Sequence, residues 1–361
     1  MAKILAFAAA LLLVLRSVTF PLWLKDEGYS SEVFRSFYAL PKESIDYAYI
    51  GSSAAREYFS QPEAFHALGG AGYALATSNQ PFIAAKYLIE EIEKTQSPKV
   101  YLIEIRELTN TGAIREGDVR KVTDSMHLTS TRSKAVNALL ENLQYENPEM
   151  EINKWDYYLS LSTYHTRYKE LTEGDFTEPE DLPVWSGFDV NAYIEPYEYY
   201  GMGDAAPEPL TGYRETSLYQ VLEYCSTLDA KVIFTCTPAL YDFQPPKAGR
   251  VKYIQQIIES AGYEFWNMNE PAVLQEIGLD LSHDMKNDMH VNVYGAFKVT
   301  DYIVRRLQSE YGIPDRRGDS RYDFWLQEYD EMMQEVARQE AEFAAQAAAA
   351  ADAAEEGNAG E

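Results

Sequence analysis

Ile45-Asp46-Tyr47-Ala48-Tyr49-Ile50-Gly51-Ser52-Ser53 is the stretch of this chain whose reading decides the fold. The run from Ile45 to Ile50 reads as a short buried strand, and Ala54-Ala55-Arg56-Glu57-Tyr58-Phe59 after it reads as the start of a helix. A serine between them stands at the carboxyl end of a strand. Open α/β sheets place their chemistry there, because the loop is exposed, the strand fixes its position, and the following helix turns its positive end toward any developing anion. Far downstream, Asn287-Asp288-Met289-His290-Val291-Asn292 brings an imidazole to take a serine's proton and a carboxylate to orient that imidazole.

Beyond the first strand the pattern alternates as a parallel sheet requires. Gly72 to Thr77, Val100 to Ile105, Lys231 to Thr235 and Tyr263 to Trp266 read as strands. Between them Pro81 opens a helix through Glu90 with Asn79 as its cap, Tyr213 to Leu228 and Lys252 to Ala261 read as helices, and Asn292 to Tyr311 closes the series. That order predicts an α/β fold: a doubly wound, flavodoxin-like three-layer sandwich with a central parallel sheet and right-handed crossovers. Residues 113–210 break the alternation and predict a mostly helical insertion, with helices over Ser133 to Leu143 and Trp155 to Leu171. Its second half is rich in acid, proline and tyrosine. Tyr193, Tyr197, Tyr199 and Tyr200 offer aromatic faces with polar tips, which suit sugar rings or simple loop packing.

At these residues the chain resembles the SGNH (GDSL-type) hydrolase superfamily, whose nucleophile lies in a Gly-Asp-Ser motif after the first strand and whose Asp and His precede the last helix. Gly51-Ser52-Ser53 matches with Ser52 in the aspartate's place, and Asn292-Val293-Tyr294-Gly295-Ala296-Phe297-Lys298 is similar to the wording of one membrane-anchored branch. That branch resembles the D-alanylation protein of teichoic acid synthesis and the alginate-type O-acetyltransferases. The resemblance spans roughly residues 44–112 and 212–315, and it implies the strand order 2-1-3-4-5, Ser53 as nucleophile and His290 as base. The chain departs from the family in two places. The superfamily spaces its acid as Asp-x-x-His, yet Asn287 stands three before His290, so Asp288 is the expected acid and Asp284 the reserve. The glycine after the second strand and the Gly-x-Asn-Asp block after the third are also absent, which leaves backbone N–H groups near Ser53, Ser78, Asn79 and Gln80, or the side chains of Asn79, Gln80 and Arg106, as candidate oxyanion donors.

Composition frames this reading. The 361 residues with 46% hydrophobic content suffice for one α/β domain over residues 26–320 with its insertion. Fifty-seven acidic against 31 basic residues leave a net charge of −26, which disfavours nucleic acid and anionic surfaces as partners. Ile4 to Leu15 is an unbroken apolar run, and with Phe20 to Leu24 it reads as an uncleaved signal anchor over residues 1–25, placing the domain outside the cell membrane. Cys225 and Cys236 read as free buried thiols. Asp280, His283, Asp288 and His290 offer metal-type ligands without a zinc spacing, so no metal or other cofactor is expected. Arg321 to Gln339 reads as a helix, and Glu340 to Glu361 as an Ala/Glu-rich disordered tail. Taken with the resemblance, these features imply a cell-envelope acyl-ester enzyme. It would act between an acyl ester donor and a hydroxyl-bearing polymer, with a membrane-bound acyltransferase as possible partner. An esterase and a non-catalytic accessory protein are the alternatives.

Overall fold

In the computed structural model of the chain, which describes residues 2–22, 28–158, 164–176, 185–198, 205–239 and 245–358, five strands form one all-parallel sheet. They are β1 Tyr47–Gly51, β2 Gly72–Ala76, β3 Val100–Glu104, β4 Lys231–Cys236 and β5 Glu264–Asn267, in the order β2-β1-β3-β4-β5. Tyr47 pairs with Gly72 on one side and Val100 on the other, so β1 has neighbours along both edges. A strand covered on both faces reads as a continuous apolar run, and β1, β2 and β3 bury all five of their residues. Buried tyrosines need partners for their hydroxyls. Tyr47 donates to Gln61 Oε1 at 3.0 Å and Tyr49 pairs with Thr235 Oγ1 at 2.8 Å.

The helices are α1 Ala2–Thr19, α2 Gly28–Ala39, α3 Ser53–Arg56, α4 Gln61–Leu68, α5 Ala84–Ile92, α6 Glu116–Thr123, α7 Ser130–Glu146, α8 Arg214–Cys225, α9 Lys247–Ser260, α10 Pro271–Ile277, α11 Val293–Tyr311 and α12 Phe324–Asn358. They cover both faces of the sheet. Ala48, Ile50, Leu75 and Ile103 share one core with Leu88 of α5, Leu139 of α7 and Ile254 of α9. Tyr49, Ala74, Leu102 and Ile233 share the other with Ala64 of α4, Ile303 of α11 and Met332 of α12.

Several expectations are corrected. Trp155 to Leu171 is not one continuous α-helix among the described residues: Lys154–Tyr157 and His165–Lys169 are 3-10 turns, and residues 159–163 lie outside the described residues. The insertion's long α-helices among the described residues, α6 and α7, both lie in its first part. Asn79 does not cap α5, which starts at Ala84; it sits in a left-handed turn at φ 51. The helix expected from Lys252 begins five residues earlier, at Lys247. The break expected at Glu340 is absent, since α12 runs on to Asn358 through alanine and glutamate, which are strong helix formers. Trp325, Met332 and Val336 bury that helix against the body. Tyr199 and Tyr200 lie outside the described residues.

Lys3–Leu22 is long and apolar enough to serve as a membrane anchor or a signal sequence, with a mean hydropathy of 2.1, and only Leu22 at its end is buried among its described side chains. Ser17 and Thr19 return their hydroxyls to Leu13 O at 2.9 Å and Leu15 O at 2.7 Å, which satisfies both groups within the helix. Arg167 of the insertion donates to Leu22 O at 2.8 Å and ties the end of the segment to the domain. Cys225 and Cys236 are buried and form no disulfide, and burial pushes the Cys225 thiol up to about 12.

Candidate active site

β1 delivers Ser53. Ser52, in extended conformation, caps α3 by accepting from Ala54 N at 3.5 Å, and Ser53 is the first residue of the helix. The preceding Gly51 allows a close approach: a Cβ there would meet Glu104 Cβ at 2.7 Å and Ala55 Cβ at 3.0 Å. Glu104 in turn ends β3 with a buried carboxylate that accepts from Arg106 N at 2.9 Å.

His290 comes from a loop between α10 and α11, closed by an antiparallel bridge between Met285 and Val291 and by Lys286 N donating to His290 O at 3.0 Å. Polar side chains reinforce that backbone frame. Fully buried Asp284 accepts from Asp280 N at 2.7 Å and lies 2.6 Å from Lys298 Nζ and 3.0 Å from His283 Nδ1. Asn292 caps α11 through Tyr294 N and Gly295 N while its Nδ2 donates to His283 O at 2.7 Å. Gly295 is needed here, because a Cβ would meet Asp284 O at 2.5 Å. Asn287 Oδ1 accepts from Met289 N at 2.9 Å and His290 N at 2.8 Å, which closes the turn before the imidazole. Arg106 Nη1 and the Tyr58 hydroxyl both reach Met289 O, each at 2.7 Å.

These two arms meet. Ser53 Oγ lies 3.0 Å from His290 Nε2, and on the opposite side of the ring Nδ1 lies 3.2 Å from Asn287 Oδ1. Since Asn287 Oδ1 already accepts from two backbone N–H groups, it can only accept from Nδ1, so Nδ1 carries the proton and Nε2 offers its lone pair to the serine. That is the tautomer a general base requires.

The structure does not bring Asp288 to this imidazole. Asp288 is exposed and lies against Tyr197, while Asp284 is committed to its own loop and to Lys298. The carboxylate against Nδ1 is Glu57, whose Oε2 stands 3.7 Å away, nearly buried and ion-paired with Lys286 Nζ at 2.6 Å. Sequence reasoning passed over Glu57, although residues four apart on a helical turn share a face and Glu57 follows Ser53 by four. Asp189 of the insertion completes the cluster, 2.7 Å from Arg56 Nη2 and 3.8 Å from Lys286 Nζ. Burial, then the nearby cations of Arg106, Lys286 and Arg56, push His290 down to about 3, with Asp189 pulling the other way. The imidazole is neutral across the physiological range, ready to accept a proton but weakly basic.

The candidate oxyanion donors divide. Arg106 is spent on structure: its Nη2 donates to Thr237 Oγ1 at 2.8 Å and Pro238 O at 2.9 Å, and the guanidinium lies over the Tyr58 ring. Ser78, Asn79 and Gln80 form the loop at the carboxyl end of β2, and because β2 neighbours β1 this loop flanks Ser53. Ser78 is half-buried, Asn79 exposed and Gln80 buried; Thr77 Oγ1 and Gln80 Oε1 are buried without a hydrogen-bond partner among the described residues. A cavity of about 310 Å³ opens at the same edge of the sheet, lined by Asn79, Asn110, Arg115, Lys247 and Arg250 among others, but Ser53 and His290 are not in its walls. Of the tyrosines, Tyr193 packs edge-on against Phe343 of α12 and Tyr197 donates to Glu195 at 2.7 Å. Among the described residues no three His, Cys, Asp or Glu side chains are grouped to hold a metal ion.

No protein-family model matches this chain, and no curated protein matches it.

Proposed function

We propose that this protein is a membrane-anchored acyl-ester enzyme of SGNH type, which passes an acyl group from an ester donor through Ser53 to a hydroxyl of an envelope polymer, with water as the competing acceptor. The observation that carries this reading is the 3.0 Å approach of Ser53 Oγ to an imidazole nitrogen left unprotonated by the Asn287 contact. Ser53 Oγ would bond to the ester carbonyl carbon while its proton passes to His290 Nε2 and the carbonyl electron pair becomes an oxyanion. Collapse of that oxyanion breaks the bond to the leaving oxygen, which takes the proton from Nε2. The acceptor hydroxyl then repeats the sequence on the acyl-serine, giving its proton to Nε2 as Ser53 leaves. The N–H of Ser53, at the first turn of α3, and the loop after β2 are the groups best situated to receive the oxyanion.

A base pushed down to about 3 is a weak one, and catalysis is best when the base matches the working pH. Such a base slows attack by water and by a polymer hydroxyl alike, so transfer over hydrolysis would rest on holding the polymer hydroxyl in line. The apolar segment Lys3–Leu22 supplies the membrane attachment in this reading. A non-catalytic accessory role is the second reading, favoured by one observation: no carboxylate is hydrogen-bonded to His290 among the described residues.

The test is covalent labelling of the full chain by an activated fluorophosphonate. Labelling is expected at Ser53, lost in Ser53→Ala and kept in Ser52→Ala, with acyl transfer to an added oligosaccharide read by mass spectrometry. A wild-type chain that never labels supports the accessory role. Because the neutral imidazole reacts and its titration lies low, the labelling rate should hold level on acidification through about pH 6.5, the ordinary histidine range, and fall only toward the low value. An acid limb near the ordinary range would mean that burial and the surrounding cations do not depress His290.

A further inference from the structure

We infer that Glu57, carried on the same helical turn as the nucleophile, is the positioning acid of this site, acting on His290 beside Asn287 and under the restraint of Lys286. The inference rests on the reading of Ser53 and His290 as an acyl-transfer pair and names the residue that sequence spacing assigns elsewhere. Three observations support it. Glu57 Oε2 is 3.7 Å from Nδ1, the ring nitrogen opposite the serine. Its carboxylate is 7% exposed, so its charge is poorly screened, whereas Asp288 is exposed and turned toward Tyr197. It is held in place by Lys286 Nζ at 2.6 Å, itself 3.8 Å from Asp189, which Arg56 binds in turn at 2.7 Å.

The division of labour is physical. An amide oxygen fixes the tautomer but carries no charge, so Asn287 alone orients the ring without favouring the imidazolium that forms when Ser53 gives up its proton. A buried carboxylate a few ångströms away supplies that attraction. Lys286 keeps Glu57 in position, while burial of the ring and then the cations of Arg106, Lys286 and Arg56 keep the imidazole weakly basic. The groups facing the ring are thus Arg56 of α3, Glu57 as its C-cap and Tyr58 just beyond, Arg106 from the loop after β3, Asp189 from the insertion and Lys286 from the base's own loop.

The experiment compares Glu57→Gln, Asn287→Asp, their combination and Lys286→Met in the full chain, reading both the fluorophosphonate rate and the titration of His290 by histidine-selective NMR, which needs no activity. Glu57→Gln is expected to slow labelling on the order of 10- to 100-fold and to lower the His290 titration further. Asn287→Asp places a carboxylate in contact with Nδ1; it should raise the titration, speed labelling about tenfold and, in the combined variant, restore most of the rate that Glu57→Gln loses. Lys286→Met should raise both readouts by uncovering the Glu57 charge. Wild-type rate and titration in Glu57→Gln would overturn the inference, as would a loss that Asn287→Asp fails to rescue in a chain that melts normally. If Glu57→Gln does not fold, Lys286→Met decides: unchanged rate and titration reject the role. If no variant labels at all, the acyl-transfer reading fails, while the NMR titration still reports whether Glu57 biases the ring.

Discussion

The arm that carries Ser53 and the arm that carries His290 reach the same point by opposite means. Ser53 follows a strand whose five residues are all buried, all five paired with β2 and four of them with β3, so its position is set by the sheet and by two apolar cores. His290 sits in a loop held by a single short bridge, Met285 to Val291, and by a few polar side chains, chiefly Asp284, Asn287 and Asn292, answering backbone N–H and carbonyl groups. A position set by many dispersed contacts tolerates the loss of one. A position set by a handful of directed bonds does not, because each missing partner leaves a buried polar group unsatisfied.

Substitution at Asp284 should produce the largest effect. Asp284→Ala removes a fully buried carboxylate from Lys298 and from Asp280 N, and is expected to cost about 3 kcal/mol of stability and to displace His290. A thermal melt close to wild type would show that the loop is held by other means than its polar bonds. On the other arm, Gly51→Ala presses a methyl group against Glu104 and Ala55, and overpacking of this kind costs about 1 to 3 kcal/mol. Because the strand moves as part of the sheet, labelling of Ser53 in the variant that still folds should fall less than it does in Asp284→Ala; the reverse order would break the comparison. The smallest effect is expected far from both arms. Deleting residues 346–361 removes, of the described side chains, only the exposed run Gln346 to Ala350 and should shift stability by less than about 0.5 kcal/mol. A deletion reaching back to 340 also removes Phe343, which packs on Tyr193, and Glu340, which binds Tyr294 in the first turn of α11; it should cost measurably more.

The sheet was legible because its signals are local. Continuous apolar runs of five or six residues, punctuated by glycine and followed by helical spacing, disclose parallel strands without knowledge of their neighbours, and β1 to β5 fall where those runs lie. The order of the strands came with the resemblance, and the structure has the same order. Boundaries were less legible. Asn79 before Pro81 has the composition of a cap, yet the chain needs three more residues to turn off β2 before α5 can start. The run from Trp155 to Leu171 has apolar spacing that suits one helix, yet Lys154–Tyr157 and His165–Lys169 at its two ends are 3-10 turns.

What the sequence determined by itself is the set of elements and the two segments that bear the candidate site: a glycine and serines at the end of a buried strand, and a histidine ahead of a capped helix. Hydrophobic runs and cap residues act over a few positions, so they can be read one segment at a time. Only the tertiary structure decided which groups surround the imidazole. Asp288 is two residues from His290 in sequence, but the turn closed by Asn287 Oδ1 sends its side chain outward. Glu57 is distant in sequence, and the parallel packing of β1 brings its helix under the base's loop, where Lys286 holds it. Electrostatic neighbours depend on distance through space, and distance through space is fixed only when the sheet has placed both arms.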